Sequence, residues 1–141
     1  MKGEIAKSYF LQGFNCCQAV VMAFKDELGL SEDEIKKLTI GFGGGLARQR
    51  LTCGAVSGMT MVLGALKTDG QDKAQAYALI KAACEEFKAE TGSLICAEML
   101  SGEILKDKST VPEDRTPEYY KKRPCADICY LAAEIAEKYI N

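Results

Sequence analysis

Histidine and tryptophan are absent from this 141-residue chain, and proline occurs only three times. Without histidine there is no imidazole general base and no imidazole metal ligand. Any transition-metal site must then rest on thiolates, supplemented by carboxylates, backbone groups or water. No Cys-x-x-Cys pair occurs either, so a redox partner for any one thiol has to come from another helix. There is no excess of positive charge: 18 Lys and Arg face 20 Asp and Glu, for a net charge of -2. That balance excludes the electrostatic footprint of nucleic-acid or anionic-membrane binding. No apolar run approaches the ~18 residues of a membrane span. The start, Met1-Lys2-Gly3-Glu4, leads into an amphipathic segment without an apolar signal block. A cytoplasmic location is the expectation.

What the chain does have is cysteine, seven in all. In a cytosolic protein of this size, cysteines point to redox or metal chemistry more than to structural disulfides. The odd count also prevents complete pairing within one chain. The length allows one domain, residues 1–141, with a real core.

The chain is organised around Gly41-Phe42-Gly43-Gly44-Gly45-Leu46-Ala47-Arg48-Gln49-Arg50-Leu51-Thr52-Cys53-Gly54-Ala55-Val56-Ser57-Gly58. A glycine-rich run is a poor helix or strand interior, so it reads as a loop that takes unusual angles or lies close to something. Apolar periodicity resumes at Val56, Met59, Val62, Leu63 and Leu66. That predicts a helix from about Thr52 to Lys67, with Thr52 as N-cap and Cys53 as its first residue. A thiol there meets unpaired N–H groups and the positive end of the helix dipole, which favours thiolate. Arg48 and Arg50 either add positive charge beside it or are solvated loop residues. Gly54 and Gly58, one turn apart, let another helix pack closely.

No strand pattern competes elsewhere. The expected fold is an all-α bundle of five or six helices, with the glycine-rich loop and a long polar loop before the last helix. Ile5, Tyr9 and Phe10 mark a first helix. Asn15 caps a second that Gly29 ends; the alternative is one long helix from 3 to 28. Ser31 and Glu34 form a capping box for a third. Residues 72–91 form the longest helix, with a stripe of Ala76, Leu79, Ile80, Ala83, Cys84 and Phe87. Gly92 closes it, and Ser93 caps a short helix carrying Cys96, Met99 and Leu100. Residues 101–123 read as a polar connection in which Pro112 and Pro117 oppose regular structure. A connection of that length is a lid or a mobile segment. Pro124 suits the first turn of a last helix running from Cys125 to Tyr139.

Cys16, Cys53 and Cys125 thus each fall in the first turn of a predicted helix, and Cys96 lies close behind another start. If the four ends converge, they build a thiolate-stabilising pocket. Otherwise they are small core residues, as cysteine often is. Cys84 and Cys17 fit the core reading better. Cys129, one turn after Cys125, either packs in the core, resolves Cys125 or shares a metal.

Gly13-Phe14-Asn15-Cys16-Cys17-Gln18-Ala19-Val20, the glycine run, Cys53-Gly54-Ala55-Val56-Ser57-Gly58, Phe87 to Cys96, and Cys125 together resemble the C_GCAxxG_C_C family of redox-active bacterial and archaeal proteins. The resemblance covers nearly the whole chain. It implies that the four family cysteines are Cys16, Cys53, Cys96 and Cys125, and it implies a redox class without naming a reaction. Two chemistries follow. One is a thiol–disulfide oxidoreductase, with Cys53 attacking and Cys16, Cys96 or Cys125 resolving. The other is a zinc or iron–sulfur site with the same four thiolates as ligands. A third reading is a non-catalytic interaction module, such as a homodimer. The expected partner is a redox protein or a small thiol, with no nucleic acid and no membrane insertion.

Overall fold

The computed structural model describes residues Met1–Asn141 and is all-helical. It has ten α-helices rather than five or six. Four of them are only four or five residues long, too short to show a helical period: α3 (Lys25–Leu28), α7 (Cys96–Met99), α8 (Gly102–Leu105) and α9 (Pro117–Lys121). The longer ones are α1 (Lys2–Leu11), α2 (Cys16–Met22), α4 (Glu32–Thr39), α5 (Gly54–Lys67), α6 (Lys73–Thr91) and α10 (Cys125–Ile140). None is long and apolar enough to cross a membrane.

The core forms around α2, which is buried at every position except its first, Cys16. A helix apolar at every position but Gln18 has to be enclosed. It packs against α1, α4, α5 and α10. Its start is fixed by a capping box: the Asn15 side chain accepts from the Gln18 N–H at 2.9 Å, and the Gln18 side chain accepts from the Asn15 N–H at 3.0 Å. The second predicted helix is broken after Met22, and α3 continues the chain to Gly29, whose left-handed backbone (φ 68°) ends it.

Close approach of α5 to α2 depends on its two glycines. A Cβ at Gly58 would lie 3.1 Å from the Cys17 carbonyl and 3.1 Å from Val20 Cβ. At Gly54 it would lie 2.8 Å from the Phe42 carbonyl and 3.1 Å from the Cys17 nitrogen. The other side of α2 is closed by α1 and α10. Free donors at the start of α1 are met by α10 carboxylates: Met1 and Gly3 N–H donate to Glu134, and Lys2 N–H donates to Glu137.

Two further expectations are corrected. The stripe on α6 is buried only at Ala83 and Phe87; Ala76, Leu79, Ile80 and Cys84 are half-buried. The polar connection contains α8 and α9, and Pro117 opens a helix instead of preventing one. Its missing N–H is not needed at the first helical position, and the Thr116 hydroxyl accepts from the Tyr119 N–H at 3.2 Å.

Candidate functional site: a cysteine cavity

The glycine-rich loop turns with the wrong hand. Gly44, Gly45, Leu46, Ala47 and Arg48 all have positive φ, between 49° and 71°, and Arg50 follows at 63°. Four of these six are not glycine. Each costs about 1–2 kcal/mol in that conformation, so the loop stores strain that its surroundings must hold. Backbone bonds close it: Ala47 N–H to Gly41 carbonyl, Arg48 to Gly43, Arg50 to Gly44 and Leu51 to Gly45, at 2.8 to 3.0 Å. Gly45 presses on the start of α7, since a Cβ there would lie 2.7 Å from Cys96 Cβ.

Beyond the loop, Thr52 and Ile95 form an isolated antiparallel bridge. Cys53 N–H donates to the Leu94 carbonyl at 2.8 Å, and Cys96 N–H donates to the Leu51 carbonyl at 2.6 Å. This bridge ties together the two segments that carry Cys53 and Cys96. It also takes Thr52 away from its expected role. Cys53 itself is the N-cap of α5, and the helix begins at Gly54. Cys16, Cys96 and Cys125 are the first residues of α2, α7 and α10. The Ser93 hydroxyl accepts from the Ile95 N–H at 2.9 Å, within the turn before α7.

The four helix starts meet. Cys16, Cys53, Cys96 and Cys125 all line one cavity of about 60 Å³, together with Phe10, Tyr119 and others. That is room for a few water-sized groups. The Cys16 thiol lies close enough to Cys125 and Cys129 for each to shift its acidity. Cys129 Sγ also lies 3.9 Å from the Cys16 carbonyl. Cys129 therefore belongs to the cluster; its place one turn behind Cys125 was the signal for it. Cys17 is fully buried in the core, beside α5. Cys84 does not line this cavity, and its nearest charged influence is Glu85. All seven cysteines are free thiols.

Burial reverses the expected acidity of Cys53. Desolvation pushes its thiol up to about 12, although the N–H groups of Val56 and Ala55 pull the other way. Cys17 is pushed up to about 12 by burial alone in the main. Burial also raises Cys96, opposed by the Arg50 guanidinium, whose Nη1 lies 3.9 Å from its sulfur. The neighbouring Cys16 thiol, then burial, raises Cys125, against Arg123 and Arg115. At Cys16 the Cys125 thiol favours the ion, but Cys129 and burial outweigh it. At neutral pH the cluster is a set of protonated thiols.

The segment 106–123 is fastened across this site, and three arginines do the fastening. Arg48 donates to the carbonyls of Ser109 (2.7 Å) and Val111 (2.5 Å) and pairs with Asp107 at 3.3 Å. It is not a solvated loop residue. Arg115 donates to the carbonyls of Phe10 and Phe14, both at 2.9 Å, and lies over the Phe10 ring at 4.4 Å. Arg123 pairs with Glu113 at 2.6 Å and stacks on Tyr119 at 4.3 Å. Arg115 and Arg123 were invisible as site residues in the sequence, since nothing local marks a distant arginine as a wall of the cavity.

No three Cys, Asp or Glu side chains are grouped so as to hold a metal ion. The thiols as placed do not form the zinc or iron–sulfur ligand set that the cysteine count allows.

Residues 14–139 match the family described as "Putative redox-active protein (C_GCAxxG_C_C)". The chain belongs to that family. No curated protein and no solved structure matches it. The C_GCAxxG_C_C match spans every element that lines the cavity except α1.

Proposed function

We propose that the protein carries out thiol–disulfide exchange at this cavity, with Cys16 and Cys125 as the pair that interconverts between dithiol and disulfide. One observation carries the reading: the starts of α2 and α10 place these two thiols on one cavity, close enough to shift each other's acidity, and Cys53 and Cys96 line the same cavity. Cys53 and Cys96, on segments tied by the Thr52–Ile95 bridge, form the second pair. High thiol pKa values suit a reducing role. A protonated dithiol gains nothing from thiolate stabilisation, so its disulfide is a weak oxidant. Cys96, beside Arg50, is the thiol best placed to ionise when a disulfide arrives. The partner is a redox protein or a small thiol compound.

The test is a thiol titre on protein prepared without oxygen or chelator, before and after oxidation and re-reduction, with the bonded cysteines mapped by mass spectrometry. Reversible loss of thiols in pairs is expected, with Cys16 joined to Cys125. Cys16→Ser and Cys125→Ser each remove that pair, and Cys84→Ser leaves it. Near-stoichiometric zinc or iron that protects four thiols in the same preparation overturns the proposal in favour of a metal site.

A further inference from the structure

A second cavity, of about 460 Å³, adjoins the first, and Asn15, Gly44, Arg50, Arg115, Tyr119 and Arg123 line both. Its size lies in the range of small-molecule sites, roughly 300–1,000 Å³. Arg48 also lines it, so four arginines surround one space. Carboxylates answer only two of them, Asp107 at Arg48 and Glu113 at Arg123. Arg115 has backbone carbonyls and aromatic faces but no anion. Arg50 has only the Cys96 sulfur.

Two donors in this group are left over. Arg50 Nε and Arg123 Nε are buried and have no hydrogen-bond partner. The Arg123 side chain is only 5% exposed. A buried guanidinium with an unmet N–H is costly unless something fills it. The planar fork of arginine suits carboxylate, sulfonate or phosphate oxygens, which it binds two at a time. Glu113 shows the chemistry the site accepts, a carboxylate oxygen 2.6 Å from Arg123, held by a side chain that is 42% exposed.

We propose that the arginine-lined cavity binds the oxyanion group of a small acidic disulfide, placing its sulfur–sulfur bond at the cysteine cavity. This rests on the thiol–disulfide reading above. In the exchange, one deprotonated cysteine attacks a sulfur of R–S–S–R, forming a mixed disulfide and releasing RS⁻. A second deprotonated cysteine attacks the protein sulfur of that mixed disulfide, forming the protein disulfide and releasing the second RS⁻. The two protons lost by the cysteines end on the two released thiolates. The protein is oxidised by two electrons, and R–S–S–R is reduced to two RSH.

The test uses the reduced whole protein in two arms. In the first, inorganic sulfate and phosphate are titrated against the arginine Nε–H resonances in ¹H–¹⁵N spectra. Saturable shifts at Arg50 and Arg123 are expected, and no shift at either overturns the site. This arm does not involve redox chemistry, so it stands if exchange itself fails. In the second, oxidation rates are compared for dianionic 5,5′-dithiobis(2-nitrobenzoate) and neutral 2,2′-dithiodipyridine, each normalised to free cysteine. A preference for the dianion of roughly tenfold is expected, from one charge-assisted contact. Sulfate should suppress it, and Arg123→Gln or Arg50→Gln should abolish it, while Lys81→Gln on exposed α6 retains it. If Arg123→Gln does not fold, the Arg50→Gln variant and sulfate competition on the unaltered protein decide. Equal rates with both disulfides, with thiols still lost in pairs, overturn the acidic-substrate proposal and leave the exchange reading intact. Failure of the neutral disulfide to remove thiols in pairs overturns the exchange reading and, with it, this substrate assignment.

Discussion

Cys53 should alkylate far more slowly than an unfolded cysteine, and its rate should keep rising far into alkaline pH. The reason is the balance of burial against two backbone N–H groups, which leaves its thiol at about 12. At pH 8 such a thiol is ionised to about 1 part in 10⁴, against roughly a quarter for an ordinary cysteine near 8.5. Ionisation alone therefore slows Cys53 by about 10³-fold relative to the urea-unfolded chain. The assay is iodoacetamide labelling of the reduced protein from pH 7 to 11, read by tryptic mass spectrometry. Cleavage after Arg50 and Lys67 isolates Cys53 from the other six cysteines. The expected profile climbs about tenfold per pH unit with no plateau. A midpoint at or below about 9 would refute the dominance of burial and restore an acidic nucleophile at this helix start. The same shift carries a stability consequence. The folded thiol holds its proton more tightly than the unfolded one, so its contribution is complete below about pH 9. It is lost as pH rises from about 9 towards 12. For Cys17 and Cys53, each raised from 9.0 to about 12, the loss is up to roughly 4 kcal/mol apiece. Urea midpoints measured across that window should fall less steeply in Cys17→Ala.

Two predictions concern the loop and the segment fastened over the site. Gly45→Ala should destabilise by roughly 2–4 kcal/mol, because its Cβ would lie 2.6 Å from the Leu51 nitrogen at a φ of +71°. Cys96 labelling should speed up with it, as the added methyl drives into Cys96. Gly70→Ala, at φ +77° with nothing within 4 Å, should cost only about 1 kcal/mol, which denaturant curves of the two variants will compare. Arg48→Ala removes the donors to Ser109 and Val111 and the partner of Asp107. It should cost about 1–3 kcal/mol, and tryptic cleavage at Lys106 and Lys108 should accelerate. Unchanged cleavage would show that Arg48 does not fasten the segment.

Much of this architecture could be read locally. Asn15 with Gln18, Ser31 with Glu34, Gly29 and Gly92 set helix ends through contacts within a few residues, and each is where its residue type predicts. The convergence of Cys16, Cys53, Cys96 and Cys125 could be anticipated for the same reason, since a helix start is a local address. Features that depend on distant partners were not legible. Thr52 looks like a cap by type, but pairing with Ile95 claims it. Pro117 looks like a breaker until Thr116 caps the turn it opens. Arg115 and Arg123 become cavity walls only when their segment folds over Phe10, Phe14 and Tyr119.

The thiol charge state is the case where a correct local rule loses to a non-local one. A helix start favours a negative charge by about 0.3–1 kcal/mol, and by ~2 in good geometry. Burial at Cys53 acts the other way by enough to leave the thiol near 12, a net cost of roughly 4 kcal/mol for its ion. The dipole argument therefore locates the thiols correctly and gives them a charge that burial removes. With the thiols neutral, Arg50 and Arg115 keep positive charge that no carboxylate in the chain answers, and helix starts add to it rather than cancel it. The potential that local reasoning assigned to a thiolate is thus left for an incoming anion. A substrate that brings its own negative charge fits such a site better than one that relies on the resting protein to supply it.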